Sequence, residues 1–231
     1  MTQPFTAPVG AVLFDLDGTL LDTLDDLVAA ANRALSDEGL PLCSADQMRP
    51  YVSGGARRML GFWLQQGSSE AVTADRFERL IERMMDYYEA HPAGATRFFS
   101  GMESVLDELD RRELPWGIVT NKRSRFTTAV LKALDLLERT PCIISGDTTP
   151  YSKPHPLPLL TAAERLTVAP KDCLYIGDAP HDIEAGRRAG MRTLMAGYGY
   201  LSPGTPADDF GSDGLLEQPR DLLAWLGASG G

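Results

Sequence analysis

The sequence has no hydrophobic run long enough to cross a membrane and too few cysteines for a disulfide framework. Of 231 residues, three are cysteines, Cys43, Cys142 and Cys173, and they lie far apart. We expect each to be a buried, reduced thiol, and their spacing excludes a CxxC metal site. No stretch approaches the ~20 apolar residues of a spanning helix, and residues 1–10 lack the basic and apolar regions of a signal peptide. The sequence therefore predicts a soluble, cytoplasmic protein.

Basic residues are too few for the chain to bind polyanions over a large surface. The sequence has 22 Lys and Arg residues against 32 Asp and Glu residues, which gives a formal net charge of −10. Such a surface repels nucleic acids and anionic membranes, so we expect neither as a partner. The same excess means that an anionic substrate would need a locally positive site or a metal ion.

Short apolar runs alternate with helical patterns along most of the chain. The runs are too short for helices and are bounded by residues that favour turns, which is typical of buried strands. The alternation predicts an α/β fold with a doubly wound, Rossmann-like parallel sheet, in which ligands bind beyond the carboxyl ends of the strands. The predicted strands are Val9–Phe14, Trp116–Thr120, Cys142–Ser145, Cys173–Ile176 and Arg192–Ala196, and helices are expected at Met102–Leu109, Phe126–Leu134, Pro156–Arg165 and Ile183–Ala189.

One segment interrupts this alternation. Residues 22–92 contain no convincing strand, and their apolar residues recur at helical spacing between Gly and Pro residues. We expect about four helices there. The chain therefore divides into an α/β core, residues 1–21 and 93–231, and a small helical insert, residues 22–92, after the first strand. The Gly- and Pro-rich stretch Ser202–Gly214 is predicted to be a loop.

Acidic and polar side chains follow the predicted strands where they end. Asp15 and Asp17 leave the first strand on the same side, because alternate residues of a strand share a face. Since the carboxyl ends of parallel strands meet at one edge, we expect the groups after the other strands to join them. Several acids this close would raise one another's pKa unless a cation lay among them, and carboxylates without His or Cys favour Mg²⁺. The groups after the later strands are Thr120, Asn121, Lys153, Asp178 and Asp182.

These residue types fit the transfer of a phosphoryl group. Asp15, beside Mg²⁺ and Lys153, would attack phosphorus, while Asp17 would protonate the leaving oxygen and later deprotonate water. Thr120 and nearby backbone N–H groups would hold phosphate oxygens, and Lys153 would neutralise charge in the transition state. No GxxxxGK[ST] motif or histidine cluster is present. P-loop NTPases and His-based metal hydrolases therefore lack their parts.

Four short motifs resemble those of the haloacid dehalogenase superfamily of phosphatases. The resemblance implies a strand order of 5-4-1-2-3, a helical cap formed by the insert, and an aspartyl-phosphate intermediate on Asp15 with acid/base action by Asp17. It also implies Mg²⁺ held by Asp15, the Asp17 backbone carbonyl and Asp178, with Asp182 orienting the site and Thr120, Asn121 and Lys153 binding phosphate. The motifs are Asp15-Leu16-Asp17-Gly18-Thr19, Thr120-Asn121, Lys153-Pro154, and Gly177-Asp178 with Asp182.

Within that superfamily, the chain is most similar to bacterial phosphoglycolate phosphatases, including those that belong with N-acetylmuramic acid 6-phosphate phosphatase. The similarity lies in Ser53–Arg57, Trp116–Lys122 and Tyr198–Tyr200. It implies hydrolysis of a small phosphorylated metabolite of carbohydrate metabolism. The expected substrate is 2-phosphoglycolate, and N-acetylmuramate 6-phosphate is the alternative. We expect a monomer or homodimer.

Single residues argue against two other reactions found in this superfamily. A Schiff-base phosphonatase needs a lysine in the cap, and no lysine precedes Lys122, which excludes that mechanism. A dehalogenase has no use for a second acid such as Asp17, because a halide leaves without protonation. A sugar-phosphate mutase keeps the same acids and stays an open alternative.

Substrate choice is expected to come from the insert, because the core handles only the phosphate. Gly54 and Gly55 can bring backbone N–H groups near a ligand at a helix N-terminus. Arg57 could bind a carboxylate in bidentate fashion, so Gly55 and Arg57 are assigned to substrate binding. Arg58 and His181 stay open as substrate contacts or surface residues. Both candidate substrates carry a carboxylate, so this feature does not separate them.

Overall fold

A parallel β-sheet forms the centre of the computed structural model, which describes Phe5 and residues 7–67, 72–201 and 210–227. The strands are β1 (Ala11–Phe14), β2 (Leu21–Asp22), β3 (Arg97–Phe98), β4 (Trp116–Val119), β5 (Cys142–Ile144), β6 (Cys173–Gly177), β7 (Arg192–Ala196) and β8 (Gly214–Leu216). Six of them form one sheet in the order β5-β4-β1-β6-β7-β8, with every neighbouring pair parallel. The five predicted strands and their 5-4-1-2-3 order are confirmed, and β8 extends the sheet beyond β7.

The central strand explains why these runs are continuously apolar. All four residues of β1 are fully buried. Val12 and Phe14 belong to one hydrophobic cluster and Leu13 to another, on the opposite side of the sheet. Because successive side chains of a strand point to opposite faces, helices on both faces require every residue of the strand to be apolar. The Rossmann-like, doubly wound fold is therefore confirmed.

Helices connect most of the strands. The expected helical patterns are confirmed as α5, α6, α7 and α8, with boundaries shifted by a few residues. The helices are α1 (Leu24–Asp37), α2 (Ala45–Met48), α3 (Gly55–Gly67), α4 (Ala74–Ala90), α5 (Met102–Arg111), α6 (Ser124–Ala133), α7 (Leu157–Leu166), α8 (Pro180–Arg188) and α9 (Leu222–Trp225), and short 3₁₀ helices span Arg49–Gly54, Pro170–Asp172 and Pro219–Asp221.

The segment between β2 and β3, which we call the cap, is helical. Helices α1 and α4 pack against each other, and Thr73 caps the N-terminus of α4 with a side chain that accepts the N–H of Arg76. The chain enters the cap through β2 and leaves it through β3, and these two strands pair in antiparallel fashion. The Asp26 carboxylate also accepts the N–H groups of Ala95, at 2.9 Å, and Thr96, at 2.7 Å. Our division of the chain at residues 22 and 92 stays a prediction.

Three details differ from or add to the sequence analysis. The prediction that Ser202–Gly214 is a loop was wrong at its last residue. Gly214 starts β8, a three-residue strand at the edge of the sheet that pairs with β7. Residues 202–209 lie outside the described residues. Strand β2, only two residues long, was not predicted. All three cysteines are buried and unpaired, as expected. Within the described ranges, no helix is both long and apolar enough to span a membrane.

Candidate active site

A buried lysine joins the ends of several strands. Lys153 lies on the loop after β5, and its Nζ donates to Oδ1 of Asp15 at 2.8 Å, Oδ1 of Asp182 at 2.7 Å and the hydroxyl of Tyr175 at 2.7 Å. A fourth contact reaches the Val119 carbonyl at 3.0 Å. Burial alone would lower the pKa of Lys153, but the two carboxylates raise it above its ordinary value. The ammonium therefore carries its charge at the point where the strands meet.

The side chain of Asn121 positions this lysine. Its Nδ2 donates to the carbonyl of Lys153 at 3.0 Å, and its Oδ1 accepts the N–H of Lys153 at 2.9 Å. Both polar ends of the Asn121 amide are thus engaged with the backbone of Lys153. A contribution of Asn121 to phosphate binding would come from its backbone N–H. Thr120 is buried beside it, and its hydroxyl accepts the N–H of Lys122 at 3.1 Å.

Three carboxylates come close enough to share a cation. One oxygen each of Asp15, Asp178 and Asp182 lie within 4.8 Å of one another, and all three residues are buried. Burial raises the pKa of Asp15 to about 6, although Lys153 opposes the shift. Burial, together with Asp182 and Asp15, raises the pKa of Asp178 well above its ordinary value. A cation at this place would relieve the unfavourable burial of like charges.

Asp178 has an oxygen suited to binding that cation. Its Oδ2 accepts the Ser53 hydroxyl at 2.9 Å and the Tyr200 N–H at 3.0 Å. Its Oδ1 is buried and has no hydrogen-bond partner within the described residues. Gly18, at φ +84°, lies against this carboxylate, and an added Cβ would come within 2.1 Å of Oδ2. An orphaned carboxylate oxygen among hard oxygen donors fits a Mg²⁺ ligand.

Asp182 is held differently from the other two acids. Its Oδ1 accepts Lys153 and the Tyr175 hydroxyl, the latter at 3.1 Å, and its Oδ2 accepts the N–H of Ala179 at 3.0 Å. Burial raises the pKa of Asp182, but Lys153 and nearby groups outweigh it and lower the pKa below its ordinary value. Because both oxygens are already bonded, Asp182 is suited to orienting Lys153 rather than binding a cation directly.

Asp17 has a cationic partner that the sequence analysis did not identify. Nζ of Lys122 donates to Oδ1 of Asp17 at 2.6 Å and to Oδ2 at 2.8 Å. The hydroxyl of Thr23 also donates to Oδ1 at 2.6 Å. The only sequence signal for Lys122 was its place directly after Thr120 and Asn121 at the end of β4.

A cavity of about 540 Å³ opens above these residues, between the strand ends and the cap. Asp15, Asp17, Thr120 and Lys122 form its floor. Its walls carry the apolar side chains of Leu27, Val52, Met59, Ile81, Met85 and Phe126 and the charged or polar side chains of Arg57, Glu78, Glu82, Arg123, Arg125 and His181. Gly55 also lines it and begins α3 at φ +75°, a backbone conformation that side chains disfavour. The cavity therefore combines a charged floor with a wall that is partly apolar and partly charged.

The arginine assigned to substrate binding lies at this cavity but is paired with an acid. Nη1 and Nη2 of Arg57 donate to the two carboxylate oxygens of Glu78 on α4, at 2.8 and 2.7 Å. Both side chains are more than half exposed. Arg58 lines a smaller cavity of about 150 Å³ that also borders Asp178. His181 lines both cavities, with Nε2 3.8 Å from Oδ1 of Asp182.

Comparisons with known proteins agree with this architecture. A family model described as haloacid dehalogenase-like hydrolase matches residues 12–196. A phosphoglycolate phosphatase of Xanthomonas campestris pv. campestris (strain 8004) is 41% identical over 218 residues, covering 93% of this chain and 96% of the relative. An N-acetylmuramic acid 6-phosphate phosphatase of Pseudomonas putida is 38% identical over 212 residues, covering 92% and 93%.

Solved structures have the same fold. The crystal structure of a predicted phosphoglycolate phosphatase from Haemophilus somnus superposes with a TM-score of 0.84 at 26% identity, covering 94% of this chain and 98% of that one. The family match spans β1 to β7 and thus includes every strand end that carries a site residue. The chain belongs to the haloacid dehalogenase-like hydrolase family.

Proposed function

We propose that the protein is a Mg²⁺-dependent phosphoric monoester hydrolase that acts on a small carboxylated metabolite through a phosphorylated Asp15. The observation that carries this proposal is the contact of 2.8 Å between Lys153 and Asp15, beside the orphaned oxygen of Asp178. A carboxylate, a fixed ammonium and a place for a cation are the parts that phosphoryl transfer needs. The names of the phosphatase relatives support the same reaction.

Residues of this chain supply each step of the cycle. An oxygen of Asp15 forms a bond to phosphorus while the bond from phosphorus to the ester oxygen breaks, and Asp17 gives that oxygen its proton. Asp17 then takes a proton from water, the water oxygen bonds to phosphorus, and the bond to Asp15 breaks to release inorganic phosphate. Lys153 neutralises charge on the phosphoryl oxygens throughout, and Thr120 and backbone N–H groups bind them.

A metal ion would be held by Asp15, the backbone carbonyl of Asp17 and Asp178. When bound, Mg²⁺ would draw negative charge from the phosphoryl oxygens and keep the nucleophile ionised. Asp182 would act through its bonds to Lys153 and to the backbone of Ala179. The Ser53 hydroxyl, which donates to Oδ2 of Asp178, would fix the orientation of that ligand from the cap side.

Two substrates are candidates, and each has one observation in its favour. Among the relatives reported above, the one with the higher identity is named a phosphoglycolate phosphatase, which supports 2-phosphoglycolate. The cavity volume of about 540 Å³ favours N-acetylmuramate 6-phosphate, because pockets of about 300–1,000 Å³ suit drug-sized ligands. The apolar part of the wall would also contact the acetyl and lactyl groups of that sugar but finds little to contact on a two-carbon acid.

A comparison of the two esters tests the proposal. Purified protein in Mg²⁺ is given each ester, and kcat/KM is measured from phosphate release, with p-nitrophenyl phosphate as a generic reference. We expect at least one carboxylated ester to exceed the reference. Conversion of a sugar phosphate into an isomer, without phosphate release, would instead identify a mutase. Absence of phosphate release from all three esters would refute the proposed function.

A further inference from the structure

The ammonium group of Lys122 lies between an acid of the core and a phenol of the cap. Lys122 follows β4, and its three N–H donors meet three acceptors: the two oxygens of Asp17 and the hydroxyl of Tyr88, the last at 3.1 Å. Nζ also lies 4.7 Å from the centroid of the Tyr88 ring. Tyr88 belongs to α4, so this single side chain connects the core to the cap.

Because the Lys122 ammonium is buried, its charge depends on these contacts. The Lys122 side chain is 7% exposed, and a charge with so little access to water requires its partners to stay in place. Asp17 depends on the same contact, because within the described residues the only other side chain bonded to its carboxylate is Thr23. Without Lys122, one hydroxyl would be left to orient the Asp17 carboxylate.

Tyr88 is itself fixed in position. Its side chain is fully buried, in line with Leu80 and Met84 on the buried face of α4. Its ring also packs against Phe126 of α6, with centroids 6.0 Å apart. Because these neighbours prevent independent movement of the ring, the seating of α4 on the core decides whether the Tyr88 hydroxyl reaches Lys122.

From this juxtaposition we propose that Lys122 is a positioning residue for the acid/base Asp17, and that the cap contributes to this positioning through Tyr88. The inference rests on the proposed function, since Asp17 is taken to protonate the leaving oxygen. The Lys122 ammonium is bonded to Asp17 and Tyr88, whereas that of Lys153 is bonded to Asp15 and Asp182, so the two lysines have distinct roles. Seating of the cap and correct placement of the proton donor are thereby linked.

The test compares two esters that differ in their need for a proton. Departure of the alkoxide from 2-phosphoglycolate needs one, whereas nitrophenolate leaves p-nitrophenyl phosphate without one. Because kcat/KM covers steps only up to release of the leaving group, it isolates the acid role of Asp17. For Lys122→Met we expect kcat/KM to fall by about 10–100-fold on 2-phosphoglycolate, a part of what general acid catalysis contributes. On p-nitrophenyl phosphate we expect a loss below about threefold.

Tyr88→Phe tests the contribution of the cap. It removes the hydroxyl and keeps the ring. We expect a loss of about 3–10-fold on 2-phosphoglycolate with the same ester selectivity, smaller than that of Lys122→Met because Tyr88 acts on Asp17 only through Lys122. Lys132→Met is the matched control, because it makes the same chemical change at an exposed position of α6. That control should match wild type on both esters.

Each alternative result is distinguishable. A smaller active fraction, or a direct phosphate contact by Lys122, would lower kcat/KM equally on both esters and would overturn the inference. So would an unchanged or increased kcat/KM in Lys122→Met. A loss in Lys122→Met without any loss in Tyr88→Phe would overturn the part assigned to the cap. If wild type releases no phosphate from 2-phosphoglycolate, N-acetylmuramate 6-phosphate or p-nitrophenyl phosphate, the proposed function fails and this inference with it, whereas equal losses in an active enzyme overturn the inference alone.

Discussion

Addition of Mg²⁺ to the metal-free protein should raise its melting temperature. Asp15, Asp178 and Asp182 bring three buried carboxylates within 4.8 Å, and among the described residues the one ammonium bonded to them is that of Lys153. Oδ1 of Asp178 also lacks a hydrogen-bond partner within the described ranges. A cation that binds the folded protein and not the unfolded chain shifts the folding equilibrium by mass action.

The size of the effect can be worked out. At a free Mg²⁺ concentration about 100 times the dissociation constant, binding adds about 2.7 kcal/mol to the free energy of unfolding. In domains of this size, 1 kcal/mol shifts the melting temperature by about 2–4 °C. The expected increase is therefore about 5–11 °C. Differential scanning calorimetry after chelation, repeated over a Mg²⁺ titration, measures it without any need for activity.

One substitution distinguishes Mg²⁺ binding at this site from a general effect of salt on stability. Asp178→Asn replaces a buried carboxyl group whose pKa is raised well above its ordinary value. Without metal, this variant should melt at a higher temperature than wild type, and it should lose most of the response to Mg²⁺. Asp86→Asn makes the same change at an exposed position of α4 and should keep the full response. A wild-type melting temperature that ignores Mg²⁺, or a full response in Asp178→Asn, would refute the reasoning.

Single substitutions at other positions test the electrostatics, the substrate contact and the cap junction. The pKa of Asp15 is raised to about 6 from 3.8, so the stability it contributes to the metal-free protein is present below about pH 4 and lost as the pH rises through 6. In urea unfolding with chelator, wild type should therefore lose stability relative to Asp15→Asn across that window. Arg57→Ala should lower kcat/KM on a carboxylated ester by about tenfold and barely affect p-nitrophenyl phosphate, while Glu78→Gln, which frees Arg57, should raise it on the carboxylated ester only. Asp26→Ala leaves the N–H groups of Ala95 and Thr96 without their acceptor and should cost about 2–4 kcal/mol in urea unfolding.

The sheet and the motif residues could be predicted because their signals are local. A strand with helices on both faces must be apolar at every position, and β1 shows that pattern in four residues. Parallel strands in one sheet then bring Asp15 and Asp178 to the same edge. Strands β8 and β2 were not predicted, because a pattern of two or three residues is too short to distinguish a strand from a loop.

The contacts made by the cap could not be predicted from local patterns. Arg57 was expected to be available to a substrate, but its partner Glu78 lies 21 positions away on another helix. Lys122 meets Tyr88 across 34 positions and Asp17 across 105. Such pairs depend on how α3 and α4 pack over the strand ends, which the spacing of apolar residues does not specify.

The central claim, that Asp15 becomes phosphorylated, can be tested directly with Asp17→Asn. With p-nitrophenyl phosphate the first transfer needs no proton donor, while the second lacks the base that activates water, so the phosphorylated protein should accumulate. Acid quenching followed by mass spectrometry of the peptides should find one phosphoryl group on the peptide that contains Asp15. The double variant Asp15→Asn/Asp17→Asn should carry none. A phosphoryl group on another residue, or wild-type turnover by Asp15→Asn in a preparation checked for deamidation, would contradict the account.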